Sequence, residues 1–118
     1  MGLGASSPLN LMATNPGMAA ALDRLWAKFL PEIQQRVALL ETAKDALSAG
    51  GLSVEQRHAA HAAAHKLAGS LGTFGLQRGT ELARQAEVFL ESDETSPSAL
   101  SELRACVAEL HSLIENRK

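Results

Sequence analysis

The stretch Ala64-His65-Lys66-Leu67-Ala68-Gly69-Ser70-Leu71-Gly72-Thr73-Phe74-Gly75 lies within an Ala-rich run that begins near Ser53. Set on a helix at about 100° per residue, it divides into two faces. Ala60, Ala63, Ala64, Leu67 and Leu71 gather on one side. His58, His61, His65, Gly69 and Gly72 gather on the other, with Ala62 and Ala68 flanking them. The apolar side is predicted to be buried, which turns His65 to solvent on a floor of glycine and alanine. Glycine inside a helix costs about 1 kcal/mol relative to alanine. Gly69 and Gly72 carry that cost on the histidine's own face, so the pattern points to close approach of another surface. The alternative for the two glycines is a fraying helix end near Phe74-Gly75.

Outward from this helix, Gly50-Gly51 ends the preceding element and Ser53-Val54-Glu55-Gln56 reads as a capping box. Upstream, Leu22, Leu25, Trp26, Phe29, Ile33, Val37, Leu40 and Leu47 keep helical spacing, and Asn15-Pro16 reads as N-cap and first helical residue. Pro31 interrupts this run without breaking its phase. The pattern therefore gives one helix over about 16–49, kinked or split near Pro31, with Trp26 and Phe29 as core anchors. Downstream, Leu76, Gly79, Leu82, Ala83, Ala86, Phe89 and Leu90 pattern a third helix over 76–91. Ser92 to Thr95 is a polar loop. Ser96-Pro97 opens a last helix over 97–115 with Leu100, Leu103, Val107, Leu110 and Ile114 as its stripe. The histidine helix spans 53–72. Residues 1–14 are small and unpatterned and read as a disordered tail. Short loops make neighbours antiparallel, so residues 15–118 are expected to form an all-α, up-down four-helix bundle.

Composition fits one small helical domain: 46% apolar residues but only 3% aromatic, so Leu and Ala do the packing. The net charge of −2 gives no electrostatic case for nucleic acid. The single cysteine, Cys106, excludes an internal disulfide and reads as a small core or boundary residue. No apolar run approaches the ~18 residues of a membrane span, and the start lacks a signal-peptide pattern, so a cytoplasmic location is expected. The domain is also expected to be a monomer. No Gly-x4-Gly-Lys-Ser/Thr phosphate loop is present.

The string His65-Lys66-Leu67-Ala68-Gly69-Ser70, with Gly75 following ten residues after the histidine, resembles the motif of histidine-containing phosphotransfer (HPt) domains. The resemblance implies a phosphorelay intermediate without a kinase site of its own. His65 would be the phosphoacceptor, exchanging a phosphoryl group with receiver-domain aspartates, and a hybrid histidine kinase is a further implied partner. The chain itself would need no cofactor, with Mg expected on the receiver. One departure stands out: the family usually carries a lysine three residues after the histidine, where this chain has Ala68. Lys66 then becomes the first candidate for a supporting cation, and Arg78 or Arg84 a weaker one. Gly69 and Gly72 would support the approach, and Arg57, His58, His61, Ala62, Ala68 and Thr73, with the polar side of 76–91, would form the partner surface.

Two other readings of the residues remain open. His58, His61 and His65 share a face, and His61-x3-His65 has the spacing that chelates a transition metal from one helix, although no fourth ligand is evident and no metal ligand is assigned. A helical interaction module without chemistry would make the glycine–histidine stripe accidental.

Overall fold

The structure, a computed structural model, describes residues 16–92 and 96–117. The expected tail over 1–14, the Asn15 cap and the loop residues 93–95 lie outside the described residues. Four helices follow in order: α1, Pro16–Ser48; α2, Val54–Thr73; α3, Gln77–Glu91; and α4, Pro97–Asn116. No strand occurs among the described residues.

Contacts divide the chain into two compact units at Pro31. In the first, Trp26 is buried as its spacing predicts. Phe29 is 40% exposed, contrary to its expected role as a core anchor. It sits about 60° round the helix from Trp26, at the edge of the buried stripe. Helix α1 itself is continuous, with Pro31 inside it.

The second unit, Glu32–Lys118, holds the remainder of α1 and all of α2, α3 and α4. Its core is leucine: Leu40, Leu67, Leu71, Leu82, Leu90, Leu103 and Leu110 are at most 2% exposed, joined by Ile33 and Val107. Burying such side chains contributes about 1.5–3 kcal/mol each, which is what holds short helices that are marginal alone. No polar or charged residue is buried among the described residues.

The links between helices fix their directions. Arg36 donates to the Ser70 hydroxyl at 3.0 Å, and Arg104 to the Ser48 hydroxyl at 3.0 Å. Arg78 donates to Glu109 at 2.9 Å, and Cys106 Sγ–H to the Leu82 carbonyl at 2.9 Å. Ser70, late in α2, meets Arg36 well before the end of α1; Ser48, at the end of α1, meets Arg104 in the first half of α4; and Arg78, at the start of α3, meets Glu109 late in α4, so neighbours run antiparallel in an up-down bundle.

The ends of the helices obey local rules. Ser53 and Gln56 form the reciprocal capping box, at 3.0 Å in each direction. Ser96 accepts from the Ala99 N–H at 3.2 Å, with Pro97 in the first turn. At the α2–α3 turn the Leu76 N–H reaches the Leu71 carbonyl at 2.9 Å and the Gly75 N–H reaches the Gly72 carbonyl at 3.0 Å. This Schellman closure needs a left-handed residue, and Gly75 supplies it with φ 75°. Gly50 and Gly51 close α1 in the same way.

Candidate functional site

The site is built by the α2–α3 hairpin, whose close packing begins beside the turn. A Cβ on Gly79 would stand 2.9 Å from Leu71 Cδ1, so glycine lets the helices cross closely there. At the next residue of α3, the Thr80 hydroxyl donates to the Ala68 carbonyl at 2.9 Å. Further from the turn, His65 Nδ1 meets Glu87 Oε2 at 2.8 Å. His61 Nε2 then meets Glu91 Oε2 at 3.3 Å and lies 3.8 Å from Glu87 Oε2. Finally the Arg57 guanidinium donates to the carbonyls of Leu90 at 3.0 Å and Ser92 at 2.6 Å. The partners advance in opposite directions along the two helices, as an antiparallel hairpin requires.

His65 is 74% exposed and Glu87 only 18%. A carboxylate has only acceptor atoms, so the proton of a neutral His65 ring belongs on Nδ1, where it is donated to Glu87. Nε2 then keeps its lone pair. The periodicity of α2 places the histidine outward, while Ala60, Ala63, Ala64, Leu67 and Leu71 anchor the opposite face in the core. Glu87 was legible as a polar residue of α3 but not as the partner of His65. The signal was present in the hairpin: once the turn is fixed at Gly75, antiparallel register sets the residues on α3 that face His61 and His65.

The other sequence candidates fall into distinct groups. Ala62, Lys66, Gly69, Gly72 and Thr73 are exposed on the His65 side of α2, as is His58. Gly69 has open space where a side chain would stand, with no atom within 4 Å of a built Cβ. Gly72 differs: a Cβ there would meet Thr80 Oγ1 at 3.3 Å, so this glycine answers to packing inside the hairpin. Both glycines lie within α2, which extends to Thr73. The Thr73 hydroxyl is turned back to the Gly69 carbonyl at 3.1 Å.

Two candidates for the partner surface are corrected. Ala68 is only 6% exposed, because α3 lies over that side and Thr80 hydrogen-bonds its carbonyl. Arg57 is half-buried, its guanidinium committed to the last carbonyls of α3. The grouping of His58, His61 and His65 as metal donors is also corrected. Among the described residues, the donors that converge are His61, Glu87 and Glu91, with ligand atoms within 4.8 Å of one another.

Of the cations, Arg78 is taken by Glu109 and Glu81. The hydrogen bond to Glu109, then its charge, holds the guanidinium protonated even more firmly than usual, and the same hydrogen bond holds the Glu109 carboxyl below its ordinary range. Lys66 and Arg84 are exposed and pair with no described residue. Cys106 is buried, and burial pushes its thiol up to about 11.

A small antiparallel bundle presenting one ring nitrogen of an exposed histidine, with the other held by a carboxylate, has the build of a helical phosphotransfer module. Comparison with known families agrees: residues 24–115 match the family model described as Hpt domain, and the chain belongs to that family, the histidine phosphotransfer domains of two-component phosphorelays. It is also similar to Protein RcaC of Microchaete diplosiphon, at 38% identity over 76 residues. That alignment covers 64% of this chain and spans 12% of the relative. No solved structure matches the chain significantly.

Proposed function

We propose that His65 is the phosphoacceptor and that the chain shuttles a phosphoryl group between this residue and receiver-domain aspartates. The observation that carries the reading is the 2.8 Å contact of the exposed His65 ring, through Nδ1, with the half-buried Glu87. In the forward step the Nε2 lone pair forms the N–P bond while the P–O bond to the aspartyl carboxylate breaks. The departing oxygen leaves as a carboxylate on the receiver. No proton has to be removed from Nε2. The phosphorylated ring is positive, and Glu87, accepting from Nδ1–H, offsets that charge. The reverse step runs through the same arrangement.

Phosphoryl transfer depends on in-line positioning and on neutralising the equatorial oxygens. Glu87 fixes the ring, and the open space over Gly69 lets the donor come close. The receiver supplies Mg and its own cation, and Lys66 is this chain's contribution in place of the family lysine missing at Ala68. The domain acts as a cytoplasmic monomer that receives its phosphoryl group from partners, receivers or a hybrid histidine kinase, rather than from a nucleotide. No Gly-x4-Gly-Lys-Ser/Thr loop occurs in the sequence, and no helix among the described residues is long and apolar enough to cross a membrane.

The test is phosphoryl uptake by the purified chain from a phosphorylated receiver or from acetyl phosphate. Label is expected to be acid-labile and base-stable and to vanish in His65→Gln. Label that persists in that variant refutes His65 as the acceptor.

A further inference from the structure

We propose that His61, Glu87 and Glu91 form a binding site for a divalent transition metal of the zinc class, coupled to His65 through Glu87. The three side chains come from two helices held in fixed register. His61 Nε2 lies 3.3 Å from Glu91 Oε2 and 3.8 Å from Glu87 Oε2. Tetrahedral coordination at metal–ligand distances of about 2.0–2.2 Å places donors about 3.3–3.6 Å apart. The two separations from His61 lie at or near that range, and all three donor atoms lie within 4.8 Å of one another, so modest side-chain rotations close them around one ion.

The chemistry selects the class of ion. One imidazole and two carboxylates make the mixed nitrogen and oxygen set that suits zinc, and they leave a position for water. Calcium and magnesium prefer six or more oxygens. Charge supports the same assignment. Glu87 and Glu91 are four residues apart on one helix, where like charges repel. Arg57, the arginine that reaches this end of α3, spends its guanidinium on the carbonyls of Leu90 and Ser92. A divalent cation between the two carboxylates neutralises both.

The site has a consequence that rests on the phosphoacceptor reading. Glu87 Oε2 is both a metal donor and the acceptor for His65 Nδ1. An ion on that carboxylate withdraws negative charge from beneath the imidazole, so metal binding and phosphorylation of His65 oppose one another.

Zinc chloride, and cobalt(II) as a spectroscopic substitute, are titrated into the full chain by calorimetry and visible absorption. One equivalent is expected to bind, with tetrahedral cobalt bands. Affinity is expected to fall at least about tenfold in Glu91→Gln and in His61→Asn. It should stay within a few-fold in His65→Gln and His58→Gln, with the helical circular dichroism of every variant unchanged. Absence of binding at millimolar metal overturns the proposal. So does affinity retained in Glu91→Gln but lost in His58→Gln or His65→Gln, which moves the ion to a histidine pair on α2. The coupling is read separately: zinc-loaded chain is expected to accept phosphoryl from acetyl phosphate about tenfold more slowly than chelator-treated chain, and an unchanged rate overturns the coupling. Binding is measured without any phosphoryl donor, so failure of the phosphotransfer reading leaves a result distinct from failure of the metal site.

Discussion

Replacing Gly69 separates what the fold needs from what the function needs. The residue lies inside α2, one turn from the helix end at Thr73, and a Cβ built on it meets nothing within 4 Å. Alanine there gains the helix-propensity difference of about 0.8–1.0 kcal/mol, with no packing cost to set against it. For a domain of this size that is about 4 °C in Tm. Arginine has nearly the propensity of alanine and is expected to stabilise by a similar amount. Its side chain, however, rises one turn from His65 on the same face. A misplacement of about 1 Å in an in-line reaction costs about a hundredfold, and arginine holds a docking receiver several times farther away. Gly69→Arg is therefore expected to melt higher than the parent yet lose more than a hundredfold in transfer from a phosphorylated receiver. Labelling by acetyl phosphate, which needs no docked protein, should stay within a few-fold. Thermal unfolding by circular dichroism and receiver-to-His65 transfer kinetics measure the two arms. A lower Tm for Gly69→Ala refutes the account of the open space. Normal receiver transfer in Gly69→Arg refutes the docking face.

Glu87→Ala is expected to slow phosphorylation of His65 about tenfold, the low end for a charge-assisted hydrogen bond that is partly solvated. A purely structural role would leave the ring alone, so the ¹⁵N spectrum of His65 decides: the Nδ1–H tautomer should lose its dominance, and an unchanged tautomer sinks the positioning role. Gly79→Ala should gain the same helix term as Gly69→Ala but drive a Cβ to 2.9 Å from Leu71 Cδ1, in a core where overpacking costs about 1–3 kcal/mol. Its Tm is expected at least about 4 °C below that of Gly69→Ala, and equality of the two would contradict the close crossing of α2 and α3. Burial raises Cys106 from 9.0 to about 11, which cuts its thiolate about a hundredfold. Alkylation at pH 8 should be slow until the chain unfolds. Because the folded value lies above the unfolded one, this group's contribution to stability is complete below about pH 9 and is lost towards pH 11, and Cys106→Ala should flatten that part of the pH–stability curve.

The helices were legible because each carried local punctuation: Ser53 with Gln56, Ser96 with Pro97, and glycine pairs or turns at Gly50 and Gly75. The exposure of His65 was legible from a single helical wheel. Glu87 was not, because periodicity orients a residue within its own helix and says nothing of the height at which the next helix stands beside it. The same limit explains Arg57 and Ala68. A wheel places Ala68 on the flank of the histidine face, but that flank is where Thr80 arrives from α3. A basic residue in the first turn of α2 reads as solvated surface until the far end of α3 comes to rest against it. Gly69 and Gly72 looked equivalent in sequence, yet one faces open space and the other faces Thr80.

The Arg57 bonds have a consequence for the direction of phosphoryl flow. With its guanidinium on the Leu90 and Ser92 carbonyls, the start of α2 is riveted to the finish of α3, while the Gly75 turn joins their other ends. A ladder fixed at top and bottom cannot slide by a rung, so His65 keeps one carboxylate beneath it, and on the proposed phosphoacceptor role it would do so with or without phosphate. Such a domain stores no conformational bias of its own. On the proposed function it would behave as a wire rather than a valve, and the net current through it would follow the phosphorylation levels of the proteins at its two ends.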